Sequence, residues 1–269
     1  MIGIVYSSQD GVAVRMARHM AVSNGLDEVT EGPMKYRGEG IVVYGLGEPA
    51  LYTNAPDLFV CEAIVFLSKH ASQAGVASFT THSLGNWGDE AKLGGKPKEL
   101  STATPLLMLQ VLRGMAAKGA EVEKTYEATH HGPLMRTPCL FAELGGNERI
   151  TGNEEALGEV ADAVFAAATQ FLDGEPEHEK VVIGIGGTHY PGKFTRLALD
   201  KGYAFSHIMP KHAITNADGT DNLGMLSQAL ERSSVRPEAA VLDWKSLNSS
   251  AKAETLKKLN ELGLDYEKV

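Results

Sequence analysis

A chain of 269 residues with 43% hydrophobic composition carries enough apolar material for a substantial core without covalent staples. Its net charge of -9 argues against a general nucleic-acid binder, because non-specific affinity comes mostly from Lys and Arg neutralising phosphates, and DNA is not an expected partner. No apolar run approaches the roughly 20 residues of a membrane span, so no membrane partner is expected. The first strand is expected from residue 2, which leaves no room for a signal peptide. Cys61 and Cys139 both lie in apolar company and are expected as buried free thiols; together these features predict a cytoplasmic protein.

"IGIVYS" (2–7) reads as a buried strand and "GVAVRMARHMAVS" (11–23) as the helix after it, with Val12, Met16 and Met20 at helical spacing. "GIVVYGL" (40–46) and "CEAIVFLS" (61–68) are apolar runs too continuous for a sheet with one wet face. "VASFTTHS" (76–83) is a further strand, and the Gly- and Lys-rich stretch over about 84–103 is expected as a loop-rich insertion. Thr104 and Pro105 start a helix that stops at Gly119. Strands follow at 121–129 and 138–146, then a long helix over 153–174 with Asn153 as its cap. "KVVIGIGGTHY" (180–190) runs from a strand into a glycine turn. Helices are expected at 194–202, 222–233 and 250–263, strands at 203–210 and 238–246, and a short tail at the end. This alternation predicts one α/β domain over 1–269, with a mixed, largely parallel sheet between helix layers.

In open α/β sheets, ligands gather outside the carboxyl ends of strands. Five expected strand ends carry histidine: His70 beside Lys69, His82, the pair His130 and His131, His189, and His207 near Lys211 and His212. Glu143 lies at another, just before a glycine pair. Gathered on one edge, these groups make an N/O shell suited to zinc. No HExxH or CxxC spacing is present, so a metal site depends on that convergence. An extended backbone through "THHGP" would turn His130 and His131 to opposite sides, leaving one for the site and one to brace it. Gly186 and Gly187 lack the spacing of a dinucleotide fold and are expected to let the backbone approach a substrate or metal. With no GxSxG elbow and no cysteine in a basic setting, acyl-enzyme chemistry is disfavoured.

"SKHAS" (68–72), "TTHSLGN" (80–86), "LGGKP" (93–97), "EATHHGP" (127–133), "PCLFAELGG" (138–146), "GIGGTHY" (184–190), "FSHIMPK" (205–211) and "DWKSLNS" (243–249) occur in order along nearly the whole chain. Together they resemble the archaeal and plant type of D-aminoacyl-tRNA deacylase. The resemblance implies a zinc-dependent hydrolase, with one or two ions, that cleaves the ester between a D-amino acid and the terminal ribose of tRNA. It also implies a fold similar to the phosphorylase and peptidyl-tRNA hydrolase sandwich. Carried over residue by residue, it marks His82, His130, His131, Glu143 and His189 as the site; of these, His82, His131, His189 and Glu143 are expected as metal ligands and His130, His131 and Glu143 as catalytic. The acceptor end of the tRNA would then meet His70, Lys96, Lys98, Gly186, Gly187, Lys193, His207 and Lys211. Lys193 stands where the family usually has arginine, offering phosphate a point charge in place of a fork. Two other readings fit the same architecture: another zinc hydrolase or nucleoside phosphorylase-like enzyme, and a non-enzymatic module that binds the tRNA end.

Overall fold

The structure is a computed structural model that describes residues 1–54, 60–70, 75–174, 179–216 and 218–269; residues 71 and 72 of the 68–72 motif lie outside them. The chain opens with β1 (Ile2–Ser7), α1 (Gly11–Ser23), β2 (Asp27–Glu28), β3 (Met34–Gly38), β4 (Ile41–Leu46), β5 (Ala63–His70) and β6 (Ser78–His82). A small hairpin of β7 (Gly85–Asn86) and β8 (Glu99–Leu100) precedes α2 (Pro105–Ala116), β9 (Glu123–Tyr126), β10 (Cys139–Gly145), the single turn α3 (Glu148–Thr151) and α4 (Glu154–Asp173). The remainder is β11 (Lys180–Ile185), α5 (Gly192–Lys201), β12 (Tyr203–Met209), α6 (Met225–Glu231), β13 (Ala239–Leu242), α7 (Ser249–Glu261) and β14 (Asp265–Lys268).

The strands divide over two sheets. The larger has the order β2-β3-β4-β1-β5-β10-β6-β9 and the smaller β12-β11-β13-β14. Its central pairs β4–β1–β5–β10 are parallel, whereas β6 runs antiparallel to β10. The small sheet is wholly parallel. The α/β class with a mixed, largely parallel arrangement is therefore as the sequence predicts. What the pattern did not give is the division into two sheets, the antiparallel edge strands β2 and β3, and the pairing of the terminal segment as β14.

Alternation inside the apolar runs explains the layers. Ile2, Ile4 and Tyr6 of β1 face a core shared with Met16 and Met20 of α1, while Val5 faces the opposite side with Phe66 and Phe141. Both faces are covered, so the strand reads as one apolar run. Helix α2 packs on both α4 and β12, and its core includes Val182 and Phe205 of the small sheet. Caps form where the sequence marks them: Asn153 accepts from Glu155 N at 2.8 Å, and Asp10 from Val12 N at 3.0 Å. Three expected elements are much shorter than their patterns: the strand at 121–129 keeps only Glu123–Tyr126, the helix at 222–233 only Met225–Glu231, and the strand at 238–246 only Ala239–Leu242.

Candidate active site

Strand β10 is the floor of the site. Its register sets Phe141 beside His82, Glu143 beside both Thr80 and Ser68, and Gly145 beside His70. Because β6 is antiparallel, His82 arrives from the opposite direction to His70, and the polar groups meet over the body of β10. The convergence of His70, His82, His130, His131, Glu143 and His189 is real, but it is not the single carboxyl edge that an all-parallel sheet would give.

The "THHGP" turn departs from the extended reading. His131 has φ 47°, a left-handed conformation rare for a residue with a Cβ. The bend turns both rings the same way: His130 and His131 lie 4.2 Å apart between centroids, and His82 lies 4.2 Å from one and 4.8 Å from the other. Backbone packing holds the bend. Gly132 N donates to Leu93 O at 3.0 Å, and a Cβ on Gly132 would collide with Gly94 and Gly95. The "LGGKP" motif thus acts as a clamp on the histidine turn.

Each of these three rings gives its Nδ1 to a backbone carbonyl: His82 to Ser83 at 3.1 Å, His130 to Ala128 at 2.8 Å, His131 to Gly132 at 2.6 Å. A carbonyl only accepts, so Nδ1 carries the proton and Nε2 keeps its lone pair. Burial and the neighbouring imidazoles hold His82 well below the ordinary histidine range; burial first lowers His130 to about 3 and His131 to about 4. All three are neutral near pH 7. Donor atoms of the three lie within 4.8 Å of one another, and the buried Nε2 of His82 has no hydrogen-bond partner among the described residues. It stands 4.0 Å from Glu143 Oε2, beyond hydrogen-bond reach.

A second, acidic network adjoins them. His70 Nδ1 lies 2.9 Å from Glu143 Oε2 and 3.2 Å from Glu127 Oε1, and His70 Nε2 lies 2.7 Å from the Tyr190 hydroxyl. His189 Nε2 bonds the other Glu127 oxygen at 2.7 Å. The two carboxyls are pushed apart. Burial alone would raise Glu127, but the hydrogen bond from His189 and the electrostatic influence of the neighbouring His130 and His70 rings outweigh it and hold it low. Burial dominates at Glu143 and pushes it up. For His70, burial opposes the charge, yet the bond to Glu143 and both carboxylates raise it. Besides the three-histidine group, Glu127–His130–His189 and His70–Glu127–Glu143 also bring donor atoms within 4.8 Å and could hold a cation.

A cleft of about 630 Å³ opens over His130 and His189, walled by Trp87, Thr129, His212, Asn216 and Asn222. Several expected contacts lie elsewhere. His207 is fully buried, with Nε2 on Arg232 O at 2.9 Å and Nδ1 on Thr129 at 3.3 Å, so it props the strand behind the site and faces no substrate. Gly186 and Gly187 approach Asp243 and Ser246; Gly186 N bonds Met209 O and Gly187 N bonds Ser246 Oγ, so neither amide is turned to a ligand. Lys193 is held by Asp243 and the Val269 carbonyl. Lys98 pairs with Asp89 at 2.7 Å, while Lys96 and Lys211 are exposed. The reading missed Glu127 and Tyr190. Glu127 lies in a segment, "EVEKTYEAT", that carries three other charged residues, and its signal was its place three residues before the first of the paired histidines.

An α/β fold whose buried imidazoles and carboxyls lie under an open cleft suits an enzyme that moves protons, and three groups of its side chains could hold a cation. A family model described as D-aminoacyl-tRNA deacylase matches residues 58–267. The D-aminoacyl-tRNA deacylase of Desulfurococcus amylolyticus is 36% identical over 256 residues, covering 91% of each chain. That of Ignicoccus hospitalis is 38% identical over 205 residues, 76% of this chain and 80% of its own. A solved structure described as a conserved protein of unknown function superposes with a TM-score of 0.88 at 27% identity, covering all of this chain and 95% of the other. The chain belongs to the D-aminoacyl-tRNA deacylase family, and with it to the hydrolases of aminoacyl-tRNA.

Proposed function

We propose that the chain hydrolyses the ester of D-aminoacyl-tRNA with a zinc ion held by His82, His130 and His131. The observation that carries the metal is the matched orientation of three neutral rings, each with Nδ1 fixed on a carbonyl, together with the orphaned Nε2 of His82. Zinc bound there supplies a Lewis acid that activates water and polarises the ester carbonyl. Glu127, kept ionised and joined to His130 and His189, takes up the proton of the attacking water. Glu143, whose burial favours the protonated form, is the complementary acid; opposed pKa values in one site mark such a division of roles. His189 stands between Glu127 and the cleft and orients that carboxylate.

The acceptor end enters the cleft past Lys96, Lys98 and Lys211. On this reading residues 1–269 work as one hydrolytic domain, supported by the core that α2 shares with both sheets. The expected setting is the cytoplasm, where charged tRNA is found; among the described residues no helix is long and apolar enough to cross a membrane. The test measures zinc content and amino acid release from D- and L-tyrosyl-tRNA on the same samples. Wild type should bind zinc and release D-tyrosine far faster than L-tyrosine. His82→Ala should lose both metal and turnover, whereas Glu127→Gln should keep its zinc and lose on the order of 10²-fold or more in rate. Full turnover by zinc-free protein would sink the metal assignment.

A further inference from the structure

We propose that Tyr190 is a further catalytic residue, its hydroxyl bonding the ribose oxygen of the scissile ester and passing it the proton needed when that bond breaks. The proposal rests on the histidine–carboxyl cluster being the hydrolytic site. Tyr190 follows His189 on the turn after β11, and its ring packs edge-on to both His189, at 4.9 Å, and His70, at 5.9 Å. Its hydroxyl is 2.7 Å from His70 Nε2, and the opposite nitrogen of His70 faces Glu143 and Glu127. Exposure falls along this chain of contacts, from 37% at Tyr190 to 6% at His70, 4% at Glu143 and 1% at Glu127. The phenol is therefore the outer end of a hydrogen-bonded line whose inner end is a pair of buried carboxyls.

Ester cleavage needs a donor at this position. Water oxygen adds to the carbonyl carbon, and the bond from that carbon to the ribose oxygen breaks with its electron pair going to the ribose. An alkoxide is a poor leaving group near neutral pH, so the oxygen must gain a proton as it departs. Tyr190 supplies that proton and recovers one from His70, which is replenished through the carboxyls that receive the proton of the attacking water. The sum is ester plus water giving acid plus alcohol, with the enzyme restored.

Tyr190→Phe and Tyr190→Leu, measured beside His82→Ala, test the idea in single-turnover hydrolysis of D-tyrosyl-tRNA with zinc content and KM determined on each. Tyr190→Phe keeps the ring between the two imidazoles and removes only the hydroxyl. The expected result is unchanged zinc, a KM within about threefold of wild type, and a rate lowered about 100-fold, as for loss of a general acid. Tyr190→Leu should fall to a similar rate. If the ring merely braces His70 and His189, Tyr190→Phe will stay within about twofold of wild type while Tyr190→Leu falls, and the proposal is overturned. A fully active His82→Ala would instead overturn the site reading beneath it, so the two failures are distinguishable.

Discussion

His207 and His130 come from similar motifs and have opposite fates. Both follow a buried strand pattern, yet His207 has both nitrogens satisfied inside the protein, and burial pushes it down to about 3. The unfolded chain, with its histidine near 6.5, binds the proton more readily than the fold does. The stability that depends on a neutral His207 is complete above pH 6.5 and is lost as pH falls towards 3. Between pH 7.5 and 5 this amounts to about 2 kcal/mol. Denaturant titrations should show wild type losing about that much more than His207→Gln over the interval; equal losses would mean that His207 is charged in the fold. Sequence could not separate the two histidines, because a strand-end position fixes neither the ring's direction nor its partners. Glu143 was legible from its glycine pair. Glu127 was not, since a carboxyl after "EKTY" looks like ordinary surface until its three imidazole neighbours are in place.

At the scale of elements, buried strands were the readable part. β1, β5 and β10 are apolar on both faces, and such runs declare themselves. Direction did not, because nothing in "VASFTTHS" distinguishes a parallel strand from an antiparallel one, and the antiparallel course of β6 is what brings His82 over Phe141. The insertion at 84–103 read as a loop bearing docking lysines, and nothing in it declared that its glycines carry the histidine turn. A Cβ at Gly132 would strike the backbone of Gly94 and Gly95, and one at Gly94, where φ is 80°, would strike the Leu51 carbonyl. Gly132→Ala and Gly94→Ala should each destabilise the protein by about 1–3 kcal/mol, the usual cost of overpacking, and should reduce zinc binding by displacing His130 and His131. Gly47→Ala is the control, since a Cβ there meets nothing within 4 Å. Thermal melts and metal analysis of the three variants decide the matter: an unaltered Gly132→Ala would leave the turn without its clamp.

For the whole molecule the question is how a protein of net charge -9 holds a polyanion. Several of its lysines are already answered by carboxylates: Lys92 by Glu90, Lys98 by Asp89, Lys180 by Glu267 and Lys193 by Asp243. The cleft is itself bordered by Asp89, Glu90 and Asp218, which repel phosphates and suit the ammonium group of an aminoacyl ester. Affinity must then come from contacts at the acceptor end and from few phosphates. With Lys96, Lys98 and Lys211 as the contacting cations, the slope of log affinity against log salt should be shallow, about -2 to -4. Lys96→Ala should flatten it by about one further unit and weaken tRNA binding more than cleavage of a minimal D-aminoacyl-adenosine. Lys98→Ala should remove less of the phosphate contact, because that ammonium is already engaged by Asp89. A slope near -8 would reveal an extended basic face in place of a few contacts at the acceptor end, and equal losses on both substrates would remove Lys96 from docking.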